Sequence, residues 1–144
     1  MLELRTLNHG ENIDFIVDFL HKNLEKYRDD KDAIKKSIDY AFSSESGKGG
    51  FVLLAYQKEI LTGVLVMNKT GMSSFIPENI LVYIAVDKEY RGQGIGKELI
   101  EKAKKESQGD IALHVEYDNP AKILYEKLGF KSKYAEMRFN RVKG

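Results

Sequence analysis

The stretch EYRGQGIGKELI, residues 89–100, places glycines at alternate positions 92, 94 and 96 directly before a Lys-Glu-Leu-Ile run. Glycine loses more conformational freedom on folding than any other residue, so three of them in one ordered turn need a physical reason. The turn follows the apolar run ILVYIAV at 80–86, which predicts a buried strand. The sequence therefore predicts a strand, a glycine turn and a helix in direct succession.

The position of these glycines favours phosphate binding. The first turn of a helix has unpaired N–H groups and partial positive charge, and glycines let a phosphate approach them without meeting a Cβ. Arg91 adds a fixed positive charge, and Lys97 adds another. The G-x-G-x-x-G fingerprint fails because position 97 is lysine, and the Walker A pattern fails at positions 91 and 98. Hydride transfer and nucleotide hydrolysis thereby lose most of their support.

Hydrophobic periodicity along the rest of the chain predicts strands and helices around one sheet. The order is a strand, two helices, three strands, a helix, a strand, a helix and a last strand, which indicates one α+β domain over residues 1–144. Asn12 and Asn119 are expected to cap helices, and Gly129 to end one. The predicted strands are residues 2–7, 51–56, 63–68, 80–86, 111–117 and 133–142; QKEILT, residues 57–62, is expected to turn between the second and third.

Two motifs together resemble the GNAT superfamily of coenzyme A-dependent N-acetyltransferases. The first is YIAVDKEYRGQGIG, a strand followed by R-x-x-G-x-G; the second is NPAKILYEKLGF, with Asn119, Tyr125, Gly129 and Phe130. They cover roughly residues 80–130 in the family's order and separation. The resemblance implies a GNAT-like α+β (mixed α/β) fold with one central mixed, mostly antiparallel sheet and helices on both faces. Residues 8–50 match no motif of the family.

The resemblance also implies where acetyl-CoA, the acetyl donor, would bind. Its pyrophosphate would lie on the glycine turn, and its pantetheine arm would pair with the backbone at the end of the preceding strand. Asn119 is expected either to bond the pantetheine or only to cap its helix. The implied binding residues are Ile84, Ala85, Val86, Arg91, Gly92, Gln93, Gly94, Ile95, Gly96, Lys97 and Asn119.

Two residues are candidates for proton transfer. Tyr125 matches the family position whose hydroxyl approaches the coenzyme sulfur, so it is expected to protonate the departing thiolate; the alternative is a core tyrosine. His114 is expected on the strand 111–117, where it would take a proton from the attacking amine or have no catalytic duty. Glu116, Glu78 and bulk water are the other candidates for the base.

Composition limits the remaining classes of function. The net charge of +1 argues against a nucleic-acid partner, and no apolar stretch reaches the length of a membrane span. The chain has no cysteine and only three histidines, so no metal is expected. The protein is interpreted as cytoplasmic because its first residues do not have the pattern of a signal peptide.

The expected acceptor is a primary amine of a small molecule or a peptide. Acidic residues at 25, 29, 30 and 32 would attract a cationic amine or form an ordinary solvated loop. The competing hypotheses are an acyltransferase that uses another acyl group or acceptor, and a non-catalytic module that senses acyl-CoA. The last strand is expected to leave an unpaired sheet edge, which predicts a homodimer.

Overall fold

The computed structural model describes residues 1–141, which form two compact units. The first unit, Met1–Leu113, contains five strands and three α-helices, and the second begins at His114 and contains one short helix. The elements are β1 (Leu2–Thr6), α1 (Asp14–Asn23), α2 (Lys31–Ala41), β2 (Gly50–Gln57), β3 (Ile60–Lys69), β4 (Asn79–Val86), α3 (Ile95–Glu106), β5 (Ile111–Ala112) and α4 (Ala121–Lys127).

The five strands form one sheet in the order β1-β2-β3-β4-β5. The pairs from β1 to β4 are antiparallel, and β4 and β5 are parallel. This is the mixed, mostly antiparallel sheet that the resemblance to the GNAT superfamily implied. No helix within residues 1–141 is both long enough and apolar enough to cross a membrane.

Helices cover both faces of the sheet. Alternate side chains of β2 and β3 point to opposite faces, so each face presents apolar residues against which a helix packs. One face packs against α1 and α2 in a buried cluster. On the other face α3 lies close to β3: a Cβ at Gly63 would come within 2.9 Å of Leu99 Cδ1 and 3.0 Å of Ile95 Cγ2. This close approach fixes the first turn of α3 against the sheet. The sheet residues of the α1/α2 cluster are Val52, Leu54, Val64, Val66 and Ala85.

A β-bulge in β4 changes which face its later side chains reach. Leu81 lies opposite Met67 and Tyr83 lies opposite Val66, so Val82 is the extra residue. Val82 and Tyr83 both pack against the α1/α2 cluster. Without the extra residue, strict alternation would place Tyr83 on the same face as Leu81.

Several predicted boundaries are wrong. The turn between β2 and β3 is only Lys58 and Glu59, both at positive φ, and β3 begins at Ile60. The strand expected at 111–117 ends at Ala112, so His114 does not lie on a strand. The last strand expected at 133–142 does not form at 133–141, where every residue is exposed; position 142 lies outside the described residues. Alternating apolar residues form a strand only where a neighbouring backbone pairs with them.

The absence of a last strand at 133–141 removes the premise of the dimer argument. The edges of the described sheet are β1 and β5. A homodimer therefore stays a prediction, with these strands as its candidate edges.

Candidate functional site

The glycine turn precedes α3 as predicted, but it does not follow β4 directly, because Asp87 and a 3-10 helix, Lys88–Tyr90, lie between them. The geometry of the turn explains two of its glycines. Gly92 has φ of +80° and Gly94 has φ of +83°, a conformation that side chains with a Cβ rarely adopt. A Cβ on either glycine would meet no protein atom within 4 Å. The glycines are therefore required by the backbone conformation and not by packing, and the space beside the turn is open.

The first turn of α3 presents unpaired amides beside this open space. Gly94 is the N-cap and supplies no side-chain hydrogen bond, and the first helical hydrogen bond runs from Glu98 N to Gly94 O at 3.0 Å. The N–H groups of Ile95, Gly96 and Lys97 precede that bond, and Lys97 is exposed. The partial positive charge of a 12-residue helix adds to them. This arrangement suits a phosphate or diphosphate.

Arg91 connects the turn to the end of α1. Its Nε donates to Val86 O at 3.1 Å, its Nη2 donates to Asn23 O at 2.9 Å, and its Nη1 lies 3.5 Å from a carboxylate oxygen of Glu25. Because Asn23 is the last residue of α1, the guanidinium lies where helix carbonyls are unpaired. Arg91 therefore holds the turn in place, a structural role that the sequence did not predict.

Gln93 forms a further hydrogen bond, which connects the glycine turn to the sheet. Its Oε1 accepts a hydrogen bond from Gln57 Nε2 at 3.3 Å, which joins the turn to the end of β2. Its side chain is exposed.

The backbone of β4 is open along one edge. The parallel pairing with β5 covers only Asn79 and Ile80, and no strand within residues 1–141 continues that pairing from Leu81 to Val86. Ile84 and Val86 therefore have backbone groups on this edge that no strand pairs with. The hydrogen bond from Asp87 N to Thr62 O sets a register in which Ala85 turns its backbone groups toward Val64 of β3. An extended, amide-containing ligand can pair with such an edge.

A tyrosine and an aspartate meet on the α1/α2 face of β4. The Tyr83 hydroxyl donates a hydrogen bond to the Asp29 carboxylate, which lies in the connection between α1 and α2. Burial, and then this carboxylate, raise the pKa of Tyr83 well above its usual value. Sequence reasoning missed Tyr83 as a site residue. Its one signal was a tyrosine inside the otherwise apolar run 80–86.

In the second unit Tyr125 is buried in α4. Its ring makes an edge contact with Phe130 at 5.9 Å between centroids. Burial, and to a smaller extent the charge of Glu116, raise the pKa of Tyr125 to about 12. The helix ends as predicted, with Gly129 at φ +98° and a hydrogen bond from Phe130 N to Tyr125 O at 3.0 Å.

Asn119 performs the capping role in this unit. Its Oδ1 accepts from Ala121 N at 3.0 Å, and its Nδ2 donates to Glu116 Oε1 at 3.2 Å. A contact with pantetheine stays a prediction. His114 and Glu116 are both exposed, three to five residues before this cap.

Glu78, another candidate base, is held in a loop of the first unit. Its Oε1 accepts from Asp110 N at 2.8 Å, and this hydrogen bond is the main reason that its pKa lies below its usual value. A carboxylate with a lowered pKa is a weaker base. Within residues 1–141 no group of three or more His, Asp or Glu side chains is arranged to hold a metal ion.

Solved structures with the same fold include several acetyltransferases. A possible acetyltransferase from Clostridium difficile 630 aligns with a TM-score of 0.71 at 22% identity over 99% of both chains. The ribosomal-protein-S18-alanine N-acetyltransferase from Escherichia coli aligns with a TM-score of 0.63 at 19% identity, over 93% of this chain and 80% of that one. A chain of the NatC complex bound to Gag peptide and CoA aligns with a TM-score of 0.72 at 22% identity, over 92% and 86%.

The sequence itself carries the family assignment. No curated protein matches the chain by sequence. The family model of the acetyltransferase (GNAT) domain matches residues 48–132, more than half of the chain, and this range includes β4, the glycine turn and α4. The chain therefore belongs to the GNAT family of acetyltransferases.

Proposed function

We propose that this protein transfers an acetyl group from acetyl-CoA to a primary amine, by direct attack within a ternary complex. The observation that carries the proposal is the glycine turn, where unpaired amides at the N-terminus of α3 border open space at the end of β4. A diphosphate there would accept hydrogen bonds from the amides of residues 92–97, with Arg91 and Lys97 supplying positive charge.

The edge of β4 fits the amide-containing arm of the donor. Pantetheine would run along Ile84, Ala85 and Val86 on the side that no strand covers, and it would pair there with the outward backbone groups of Ile84 and Val86. A backbone N–H of this strand would also donate to the thioester carbonyl. Such a donor is most effective when negative charge develops on that oxygen in the transition state.

The reaction needs one proton removed and one supplied. The amine nitrogen attacks the thioester carbonyl carbon, the tetrahedral intermediate collapses, and the C–S bond breaks to release the CoA thiolate. The amine loses a proton, the thiolate gains one, and the products are the N-acetyl amine and CoA. An ammonium group has a pKa near 10.4, so it must first release one further proton to solvent to give the neutral amine that attacks.

Tyr125 is the proposed donor to the leaving sulfur. Its pKa of about 12 keeps the phenol protonated at neutral pH. A thiol has a pKa near 8.5, so complete proton transfer would be uphill by roughly 3.5 pKa units, or about 5 kcal/mol. Tyr125 therefore acts mainly by donating a hydrogen bond to the developing thiolate, and solvent completes the protonation.

His114 is the proposed base, with Glu116 and bulk water as the alternatives. His114 and Glu116 are both exposed to solvent, so either side chain can exchange protons with it. Glu78 is the weakest candidate because its hydrogen bond to Asp110 N stabilises its charged form.

Both acceptor classes occur among proteins of this fold. The Escherichia coli structure is named for an alanine of ribosomal protein S18, and another match is named an aminoglycoside acetyltransferase from a soil metagenome. For this chain we propose a small-molecule or peptide amine in the cytoplasm, without a nucleic-acid or membrane partner.

Calorimetry with CoA and acetyl-CoA, followed by thiol release against an amine panel, tests the proposal. We expect both nucleotides to bind and at least one amine to be acetylated. Binding without thiol release against any amine would instead support the acyl-CoA sensor. Release with a different acyl donor or a non-amine acceptor would support the broader acyltransferase hypothesis.

A further inference from the structure

An open cavity of about 380 Å³ lies beside the first half of β4. Ligand pockets in proteins begin at about 300 Å³, so the cavity has room for one bulky group. Most of its surface is apolar and comes from Ile80 and Val82 of β4, Met72 of the loop after β3, and Tyr40 of α2. Asn68, Lys69 and Thr70 also line it. The apolar surface favours an apolar group over a charged one.

The walls of this cavity are held by hydrogen bonds. The Tyr40 hydroxyl donates to Lys69 O at 2.7 Å, which fixes its ring over the end of β3. The Thr70 hydroxyl donates to Pro77 O at 2.8 Å, and Thr70 N donates to Glu78 O at 2.9 Å. These bonds close the base of the loop that carries Met72. The cavity is thus built before any ligand arrives, which lowers the cost of binding.

The cavity and the proposed reaction site lie on the same strand, β4. Val82 lies two residues before Ile84, about 7 Å at the rise of a β-strand. The bulge places Tyr83 on the same face as Val82, and the Tyr83 hydroxyl donates to the Asp29 carboxylate. An apolar pocket and a carboxylate therefore approach the same part of β4.

We infer that the acceptor is an amine with an apolar substituent, which binds in the cavity lined by Ile80, Val82, Met72 and Tyr40. Asp29 attracts the cationic form of the same amine. The inference rests on the proposed function and names its substrate class. A peptide with an apolar first residue and an alkylamine share this chemistry.

Two acceptor series test the inference and distinguish peptide acceptors from alkylamine acceptors. One contains peptides that differ only in the first residue, from serine through alanine to leucine; the other contains primary alkylamines of increasing length, with polar aminosugars and polyamines as comparison. We expect kcat/KM to rise about fourfold for each CH₂ that enters the cavity, equivalent to ~0.8 kcal/mol. A rise of kcat/KM in either series supports an apolar acceptor. A rise in only one series shows whether that acceptor is a peptide or an alkylamine.

Two variants that fill the cavity test whether the preference for apolar amines arises there. Val82→Phe fills it from the strand and Met72→Phe from the exposed loop, so at least one should fold; CoA binding checks each. We expect either variant to lower the ratio of kcat/KM for the largest to the smallest apolar amine at least tenfold. The control is Ile60→Phe, at a half-exposed position in β3 outside the cavity, which should leave the ratio unchanged.

The outcomes separate this inference from the proposed function. Turnover of polar amines without preference for apolar ones overturns the inference and leaves the proposed function intact. An apolar preference that both cavity variants leave unchanged also overturns it. No turnover with any amine, in a protein that binds CoA, overturns both.

Discussion

Replacing Gly94 by aspartate tests the phosphate site at its centre. The residue is the N-cap of α3, with φ of +83° and open space where its Cβ would lie. A side chain added there would project into the volume that the diphosphate is proposed to occupy. A carboxylate also opposes the diphosphate electrostatically, by about 1 to 4 kcal/mol for two unit charges 4 Å apart at effective dielectric constants of 80 to 20.

The matched control is Gly94→Asn. Asparagine has nearly the same shape as aspartate, and both tolerate the left-handed conformation better than other residues with a Cβ. Both also cap helices well, so the two variants should unfold at similar temperatures. Bulk affects the two variants equally, and only aspartate adds charge.

Calorimetry should show CoA binding at least tenfold weaker to Gly94→Asp than to Gly94→Asn, equivalent to 1.4 kcal/mol or more. Pantetheine, which lacks the diphosphate, should bind both variants equally. Added salt should narrow the difference for CoA, because the turn is exposed. Equal CoA affinity of two folded variants would refute the assignment of the glycine turn to the diphosphate.

Three further changes test the chemistry and the fold. Tyr125→Phe should lower kcat about tenfold to a hundredfold and leave acetyl-CoA affinity unchanged, since the lost hydrogen bond matters chiefly in the transition state; steady-state kinetics with wild-type kcat would contradict the role of this hydroxyl. The folded-state pKa of Tyr125, about 12, lies above the unfolded value near 10, so its contribution to stability is complete below pH 10 and declines toward pH 12. Urea unfolding between pH 9 and 11 should show this loss, and Tyr125→Phe should reduce it. Replacing Lys58-Glu59 by Asn-Gly should raise the free energy of unfolding by about 1 kcal/mol, because both residues have positive φ between two antiparallel strands; unchanged urea unfolding would contradict this.

The sequence correctly predicted those helices and strands whose apolar residues, recognised from their spacing, are buried in the structure. Except for the exposed Phe15, the apolar residues of α1, α2 and α3 lie on buried or partly buried faces, and β1 to β4 have neighbouring strands. The prediction failed at 113–117 and 133–141, where alternation is present and no backbone pairs with it. A strand depends on its partner, and the partner is not encoded within the segment itself.

The sequence likewise predicted one part of the candidate site and missed another. The glycine turn was predictable because a strand end, a helix start and the glycines between them are all local. The contact between Tyr83 and Asp29 joins residues 54 positions apart and depends on one extra residue in β4. A one-residue change of register moves every later side chain to the other face, and a single sequence does not reveal such a change.

The short β5 and the bulge together underlie the two functions proposed for β4. Because β5 pairs only with Asn79 and Ile80, the later edge of β4 would present backbone groups to the donor, while the bulge turns Val82 and Tyr83 to the side proposed for the acceptor. Donor and acceptor contacts would then come from neighbouring residues of one partly buried strand, and their separation would be set by the backbone geometry. A rigid strand suits this role, because a misplacement of about 1 Å between reacting groups can cost a hundredfold in rate. Acceptor preference should therefore respond most strongly to side chains near the bulge, and donor affinity to the glycine turn that follows the strand.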